Sequence, residues 1–485
     1  MAQNPGDVFV DIVLISSPRS RSWNMAANFL SAVVNETIFT PGVTAEIEVA
    51  DQEDYLGQLK IAGDELVTFQ FRKPDGATAK YDMHLNSVKE VEIKGAMKTK
   101  VYKLDCVSRE TLAGQGKYVQ KAYNTTIDAI VQDLFKMLGS KLTLKVEPTK
   151  GKRNIKIANQ PILHAIEMLR KQSVSQKNKS SNYMFWKTTS GFHFKTMEEL
   201  VQAGPVRTFR QDNTVGHSMM SDFNSNILMW KVQQNMDAFN RIKAGATNQR
   251  VVTFDIHTLQ YNKESMKKKQ SEMKNLGRGL ITGLLSGVIQ GLERTVFRYV
   301  HANEKLKIDK SHVPDALPYK MINLAAMQEQ LMHMTVLGDP VLEAGKTIVC
   351  NVPKITSQTG SMASEPQMSG KWLISKTQHV IQRPEVRPRF LTNLECLKGA
   401  FEESVGNAAQ PATDAQKSAA NSTGNVNVPL PPPRPPDLAG QALAAAQAAS
   451  GGSSGLDGGF TGDGSFNSTV NYGGLDGTVD PANQR

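Results

Sequence analysis

The chain has 485 residues, more than one hydrophobic core organises, so about three compact units and a tail are expected. Its 40% hydrophobic and 21% charged content is that of a globular protein, no apolar run reaches the ~20 residues of a membrane helix, and Pro5 and Asp7 stand where a secretory leader needs a basic and then apolar start. The formal charge of +10 is uneven: residues 89–156 hold fifteen Lys/Arg against seven Asp/Glu, and residues 401–485 hold three against eight.

Strands are predicted over 8–15, 44–49, 66–72, 80–85 and 99–105, where apolar residues alternate or are β-branched, and Lys73-Pro74-Asp75-Gly76 supplies a turn. The pattern then changes period. Ile127, Ile130, Val131, Leu134, Phe135 and Leu138 recur at helical spacing after Thr125 and Thr126, and Gly139 is placed to stop the helix. A second helix begins at Pro161 and turns Ile162, Ile166 and Leu169 inward. Short strands over 141–146 and 154–157, and a hairpin of 183–186 with 192–194 around Thr189-Ser190-Gly191, complete an α+β unit. A second β-rich stretch opens near Val206, includes 251–257, and resumes at 346–352, 371–381 and 390–397. Residues 262–338 read as an insertion within it. Beyond Phe401 the Ala/Gly/Ser/Asn-rich chain with Pro429 to Pro436 is expected to be disordered, because it offers too little apolar surface to offset its ordering entropy.

Chemistry-bearing motifs are scarce. Nine histidines form no His-Glu-x-x-His pair, and neither a Gly-x-Ser-x-Gly elbow nor a Walker loop occurs. Gly114-Gln115-Gly116 opens like a dinucleotide loop but Tyr118 and Val119 follow where a third glycine belongs, so no cofactor site is assigned. Cys106, Cys350 and Cys396 are too far apart in sequence to form a metal knuckle or redox pair, and read as reduced buried thiols. Glu53-Asp54 and Glu198-Glu199 are adjacent carboxylates of loops or helix starts, without the controlled separation that glycoside hydrolysis needs. The basic stretch 89–156 offers charge for phosphate contact but no aromatic stacking set. His193 lies between Phe192 and Phe194 and therefore faces away from both rings, and His164 sits on a helix face. Gly279, Gly283, Gly287 and Gly291 recur every four residues, a bare stripe suited to close packing of a helix, although four glycines also weaken a helix by roughly 1 kcal/mol each. No catalytic, cofactor-binding or metal residue is assigned, and no enzymatic activity is expected.

Ile61-Ala62-Gly63-Asp64-Glu65 leading into Phe69-Gln70-Phe71-Arg72, then Val107-Ser108-Arg109-Glu110, the helix from Ile127 to Leu138, and Gly191-Phe192-His193-Phe194-Lys195 resemble, in order and spacing, the baseplate central hub family of contractile-tailed bacteriophages. Ser369-Gly370-Lys371-Trp372-Leu373-Ile374, His379 and Leu394-Glu395-Cys396 resemble the same family's closing strands. The strings are short, and their collinearity over residues 8–400 carries the resemblance. It implies an α+β, mainly β chain with two tail-tube-like β-barrel domains, at 1–105 and at 206–261 with 339–400. An α+β domain at 106–205 joins them, with the insertion at 262–338 and the tail at 401–485. It further implies a homotrimer, assembled in the host cytoplasm and placed in the virion tail baseplate between the hexameric tail tube protein and the trimeric central spike protein, beside baseplate wedge proteins, with phage DNA passing transiently through the ring. Phe192, His193, Phe194, Trp372 and Phe390 are the candidate family-motif or interface residues, and Gly279, Gly283, Gly287 and Gly291 the candidate packing stripe. Neither that stripe nor the Pro-rich tail maps onto the family pattern. The other readings are a hub or spike component of a phage-tail-like bacteriocin or type VI secretion machine, a basic nucleic-acid-binding protein, and a cell-wall hydrolase.

Overall fold

The computed structural model describes residues 6–398 except 18–21, 62, 64, 95–98, 178–179, 212–223, 235–247, 256–258, 268–293, 300–323, 325–329, 353–364, 366–367 and 384–388. The predicted glycine stripe at Gly279, Gly283, Gly287 and Gly291 and the tail 401–485 lie outside the described residues.

The first β region contains β1 (Phe9–Ser16), β2 (Ser22–Asn24), β3 (Phe29–Thr37), β4 (Thr44–Asp51), the short helix α1 (Tyr55–Gln58), β5 (Leu66–Arg72), β6 (Thr78–Lys94) and β7 (Thr99–Ser108). Alternation decides which face is buried: Ala45, Ile47 and Val49 of β4 and Val67, Phe69 and Phe71 of β5 all turn into one core with Phe29, Tyr81 and Tyr102. Each such side chain contributes about 1.5–3 kcal/mol on burial. β6 runs on past the end of β5, so its far half pairs with β7 alone and leaves Val91 and Ile93 51% and 69% exposed.

The α+β unit follows: α2 (Arg109–Gly116), β8 (Tyr118–Thr126), α3 (Ile127–Leu138), β9 (Leu144–Val146), β10 (Lys152–Pro161), α4 (Ile162–Lys171), β11 (Tyr183–Thr188), β12 (Gly191–Thr196) and α5 (Met197–Gln202). α3 buries the predicted face, Ile127, Ile130, Val131, Leu134, Phe135 and Leu138, and ends at Gly139. β8 pairs with β10 as a separate ribbon, while β11, β12 and β9 form a small sheet whose rings meet the helices, with Phe135 5.1 Å from Phe192 between centroids. The Glu198-Glu199 pair opens α5, where the Glu199 N–H donates to Thr196 Oγ1 at the N-cap.

The third part has β13 (Pro205–Arg210), β14 (Ile227–Gln234), β15 (Asn248–Asp255), β16 (Gln260–Lys267), β17 (Arg294–Tyr299), β18 (Gln330–Leu337), β19 (Thr347–Asn351), β20 (Gly370–Gln382) and β21 (Arg389–Lys398). β15, β16 and β17 make their own three-stranded sheet. β18, which falls within the predicted 262–338 insertion, instead lies between β14 and β21 in the main sheet.

The mainly β, α+β reading holds, with one difference in how the β regions are built. Among the described residues there are not two separately closed barrels but one thirteen-stranded sheet in the order β14-β18-β21-β20-β3-β4-β7-β6-β5-β1-β2, to which β19 and β13 attach at β20. The two β regions meet where β3 pairs antiparallel with β20, Thr37 opposite Lys376 through Ser31 opposite Gln382. Each strand would otherwise present a row of unpaired N–H and C=O groups, and the pairing satisfies both rows. On the outer face a chain of side-chain bonds crosses this seam in register. Gln378 Nε2 donates to Asn35 Oδ1 at 3.1 Å, Asn393 Nδ2 to Gln378 Oε1 at 2.9 Å, and Thr335 Oγ1 to Asn393 Oδ1 at 2.9 Å. On the inner face Ile381 and Phe390 enter the first region's core, where the Phe390 ring stands 5.1 Å from Phe71.

Candidate functional site

A buried polar cluster lies where the three parts touch, around residues 338–346 between β18 and β19. Gly345 has φ +88°, and a Cβ there would come within 2.6 Å of the Trp186 ring, so glycine is required on both counts. Trp186, from β11, is fully buried beside Ile38 just after β3, Leu200 of α5, and Leu373 and Leu397 of the main sheet, and its Nε1–H donates to the Ala344 carbonyl at 3.0 Å. One indole thus seals an apolar contact and satisfies a turn carbonyl. From the β11–β12 turn, the Ser190 N–H donates to Glu343 Oε1 at 2.9 Å and the Thr189 hydroxyl donates to the same oxygen.

Glu36 of β3 approaches this turn from the opposite side. Tyr81 Oη donates to Glu36 Oε1 at 3.2 Å, and the Ala344 N–H points to Oε2 at 3.4 Å. Complete burial, reinforced by the charge of Glu343, raises the Glu36 carboxyl to about 8, so it is protonated at neutral pH. Glu343 goes the other way. Burial pushes it up, but the Thr189 hydroxyl and the ammonium of Lys346, 3.0 Å away, outweigh that and hold it below the usual carboxylate range. The pair therefore carries a single negative charge, as two neighbouring buried carboxylates require. A second buried pair ties α2 to β11: Lys187 Nζ lies 2.7 Å from Glu110 Oε2, and Ser140 Oγ donates to Glu110 Oε1 at 2.7 Å. Burial raises Glu110, and the Lys187 charge then outweighs it to leave the carboxyl below its ordinary value.

Of the sequence-predicted residues, Phe192 and Phe194 sit in the α+β core, Trp372 in the core of the third part and Phe390 at the seam, each no more than 1% exposed. The structure does not gather them into one surface. His193 faces away from the two phenyl rings, as alternation requires, and stacks on Trp186 with centroids 4.8 Å apart. Its Nε2 lies 3.2 Å from Thr188 Oγ1 and 3.4 Å from Ser190 Oγ, the most nucleophile-like pairing among the described residues. Glu343, however, accepts from the Ser190 N–H and not from the imidazole, so no carboxylate orients the ring as a triad would. Burial first, then Lys145, lowers His193 to about 4. His379 is likewise buried and lowered to about 4, with Nδ1 3.1 Å from Thr392 Oγ1 at the seam. Among the described residues no group of three or more His, Cys, Asp or Glu is placed to hold a metal, and no helix is long and apolar enough to cross a membrane. The three cysteines are free and buried, and burial pushes Cys350 up to about 12.

Sequence reasoning missed Glu36, Trp186, Glu343 and Gly345. The only advance signal was the Gly338-Asp339-Pro340 turn sequence with Gly345 shortly after it.

What the fold and this site describe is a multi-part β scaffold whose polar chemistry is spent at internal joints. No protein-family model and no curated protein matches the chain. Solved structures similar to it include the tail protein from Neisseria meningitidis MC58, 11% identical with a TM-score of 0.49 over 80% of this chain and 96% of that one. The 43 kDa tail protein of prophage MuSo2 from Shewanella oneidensis is 10% identical, with a TM-score of 0.48 over 80% of this chain and 98% of that one. An E. coli component of the type VI secretion system, described as structurally similar to T4 bacteriophage tail proteins gp27 and gp5, is 9% identical, with a TM-score of 0.40 over 78% and 75%.

Proposed function

We propose that this chain is a structural hub subunit of a contractile phage tail, a trimeric adaptor in the virion baseplate between the hexameric tail tube and the trimeric central spike. The observation that carries the reading is the β3–β20 seam, which joins two β regions separated in sequence by the whole α+β unit. Two such regions in each chain give a ring of three chains six β regions, so a threefold object offers a sixfold face. The collinear hub-family strings over residues 8–400 support the same reading. In this reading residues 1–105 and the strands of 206–261 and 339–400, together with β18, serve as the ring-forming parts, and residues 106–205 brace them. The function is mechanical and carries no enzymatic activity, cofactor or metal. Phe192, His193, Phe194, Trp372 and Phe390 then act by fixing the subunit's internal geometry.

Co-expression with the tail tube and central spike proteins of the same genome tests the proposal. Tagged chain should retain both partners together after purification in salt of about 0.5 M, where screening removes loose charge pairing. Retention of neither contradicts it.

A further inference from the structure

A cleft of about 300 Å³ opens between β6 of the first β region and α2, the end of α3 and the β11–β12 turn of the α+β unit. Its lining carries five cations, Lys80, Arg109, Lys117, Lys141 and Lys187, against two carboxylates, Asp82 and Glu110. Both carboxylates are already engaged. Glu110 is bound to Lys187 and Ser140, and Asp82 accepts from Thr68 Oγ1 at 2.9 Å and lies 3.7 Å from Lys80 Nζ, which leaves Arg109, Lys117 and Lys141 without a carboxylate partner. Lys117 is fixed at the mouth by donating to the Leu138 carbonyl at 2.9 Å, and Arg109 and Lys141 have no hydrogen bond or ion pair among the described residues. Uncompensated cations converging on a concave, partly apolar wall focus a positive potential there.

We propose that this cleft binds a compact polyvalent oxyanion of the pyrophosphate class, with Arg109 and Lys141 as its principal ligands and Lys117 as a third. The volume is at the lower limit of ligand cavities, which suits a small anion of high charge density better than a peptide strand. The guanidinium of Arg109 presents paired N–H donors that match a phosphate, and the two lysines add point charges. The lining provides no exposed aromatic ring to stack a base, so the phosphate groups alone are recognised. Such an anion bridges the first β region, through Lys80, to the α+β unit and holds their mutual position.

Isothermal titration of the full chain with inorganic pyrophosphate at low salt tests the assignment, with hexaglutamate as the competing chemistry. The expected result is saturable pyrophosphate binding that weakens about tenfold or more in the R109Q/K141Q variant. It should change less than about twofold in K89Q/K94Q, which removes the same charge from the distant part of β6. Three results would overturn the proposal: no saturable binding, an equal loss in both variants, or hexaglutamate binding more tightly than pyrophosphate. Arg109, Lys141 and Lys89 are exposed, and unchanged thermal midpoints without ligand establish that both variants keep the fold.

Discussion

The seam between the two β regions and the joint that holds the α+β unit are built from different materials. The seam is backbone: seven residues of β3 face seven of β20 in an antiparallel ladder, with the amide chain from Asn35 to Thr335 laid over it. The joint is side chain: Trp186, Glu36, Glu343, Thr189 and Ser190 converge on one turn. A ladder distributes its stabilisation over many equivalent bonds and melts as a unit with both sheets. A joint of side chains concentrates it in a few residues, so single substitutions can uncouple what it joins.

The largest effect is expected from breaking the ladder. Val380→Pro removes a backbone donor from a strand paired on both sides, opposite Val33 and Leu391, and should cost roughly 3 kcal/mol or more. Hydrogen exchange should then show protection lost from β3 and β21 together, whereas loss confined to one β region would break the picture of a shared sheet.

Trp186→Ala removes the indole from the joint and should cost about 3–5 kcal/mol, since a large aromatic leaves a cavity and the Ala344 carbonyl loses its donor. Calorimetry should resolve a separate transition for the α+β unit in this variant. Trp186→Phe keeps most of the packing and should cost about 1–2 kcal/mol.

Side chains buried at the joint, Glu36 and His193, and one at the seam, His379, predict a pH dependence that the backbone ladder itself does not have. Glu36 is raised to about 8 from an ordinary 4.5, so the folded state holds a proton that the unfolded chain releases. Its contribution is complete below 4.5 and is lost as pH rises through 8. His193 and His379 are lowered to about 4 from 6.5, so their contribution is present above 6.5 and lost as pH falls through 4. Stability should therefore decline on both sides. Glu36→Gln keeps a neutral side chain of the same shape and should flatten the alkaline limb by a few kcal/mol, about 1.4 kcal/mol for each pH unit of the slope it removes. Denaturant midpoints at pH 6, 7 and 8 check this, and an unchanged slope would contradict a protonated Glu36.

Gln378→Ala should have the smallest effect. It cuts the amide chain on the outer face while leaving the ladder whole, and about 0.5–1.5 kcal/mol with a single transition is expected.

The same contrast explains what could be read in advance. α3 and the β11–β12 hairpin were legible because their periodicities are local: six apolar residues at helical spacing, and Phe192 and Phe194 alternating around His193. β3 was not, because its inward positions include Ala32 and the carboxyl of Glu36 where an apolar side chain would mark a strand. One of its two partners, β20, is more than three hundred residues away, and ladder pairing leaves no sequence signature. Gly114, read as the opening of a dinucleotide loop, lies on α2 where a Cβ would stand 2.5 Å from Leu163 Cγ, so it serves helix packing. Trp372 and Phe390 were visible as anchors, but only the folded chain shows them facing inward.

The adaptor proposal depends on copy number more than on any residue. Native mass measurement of the complex between this chain and the central spike protein tests it most directly. Three copies of this chain per complex are predicted, and one or six would contradict the account.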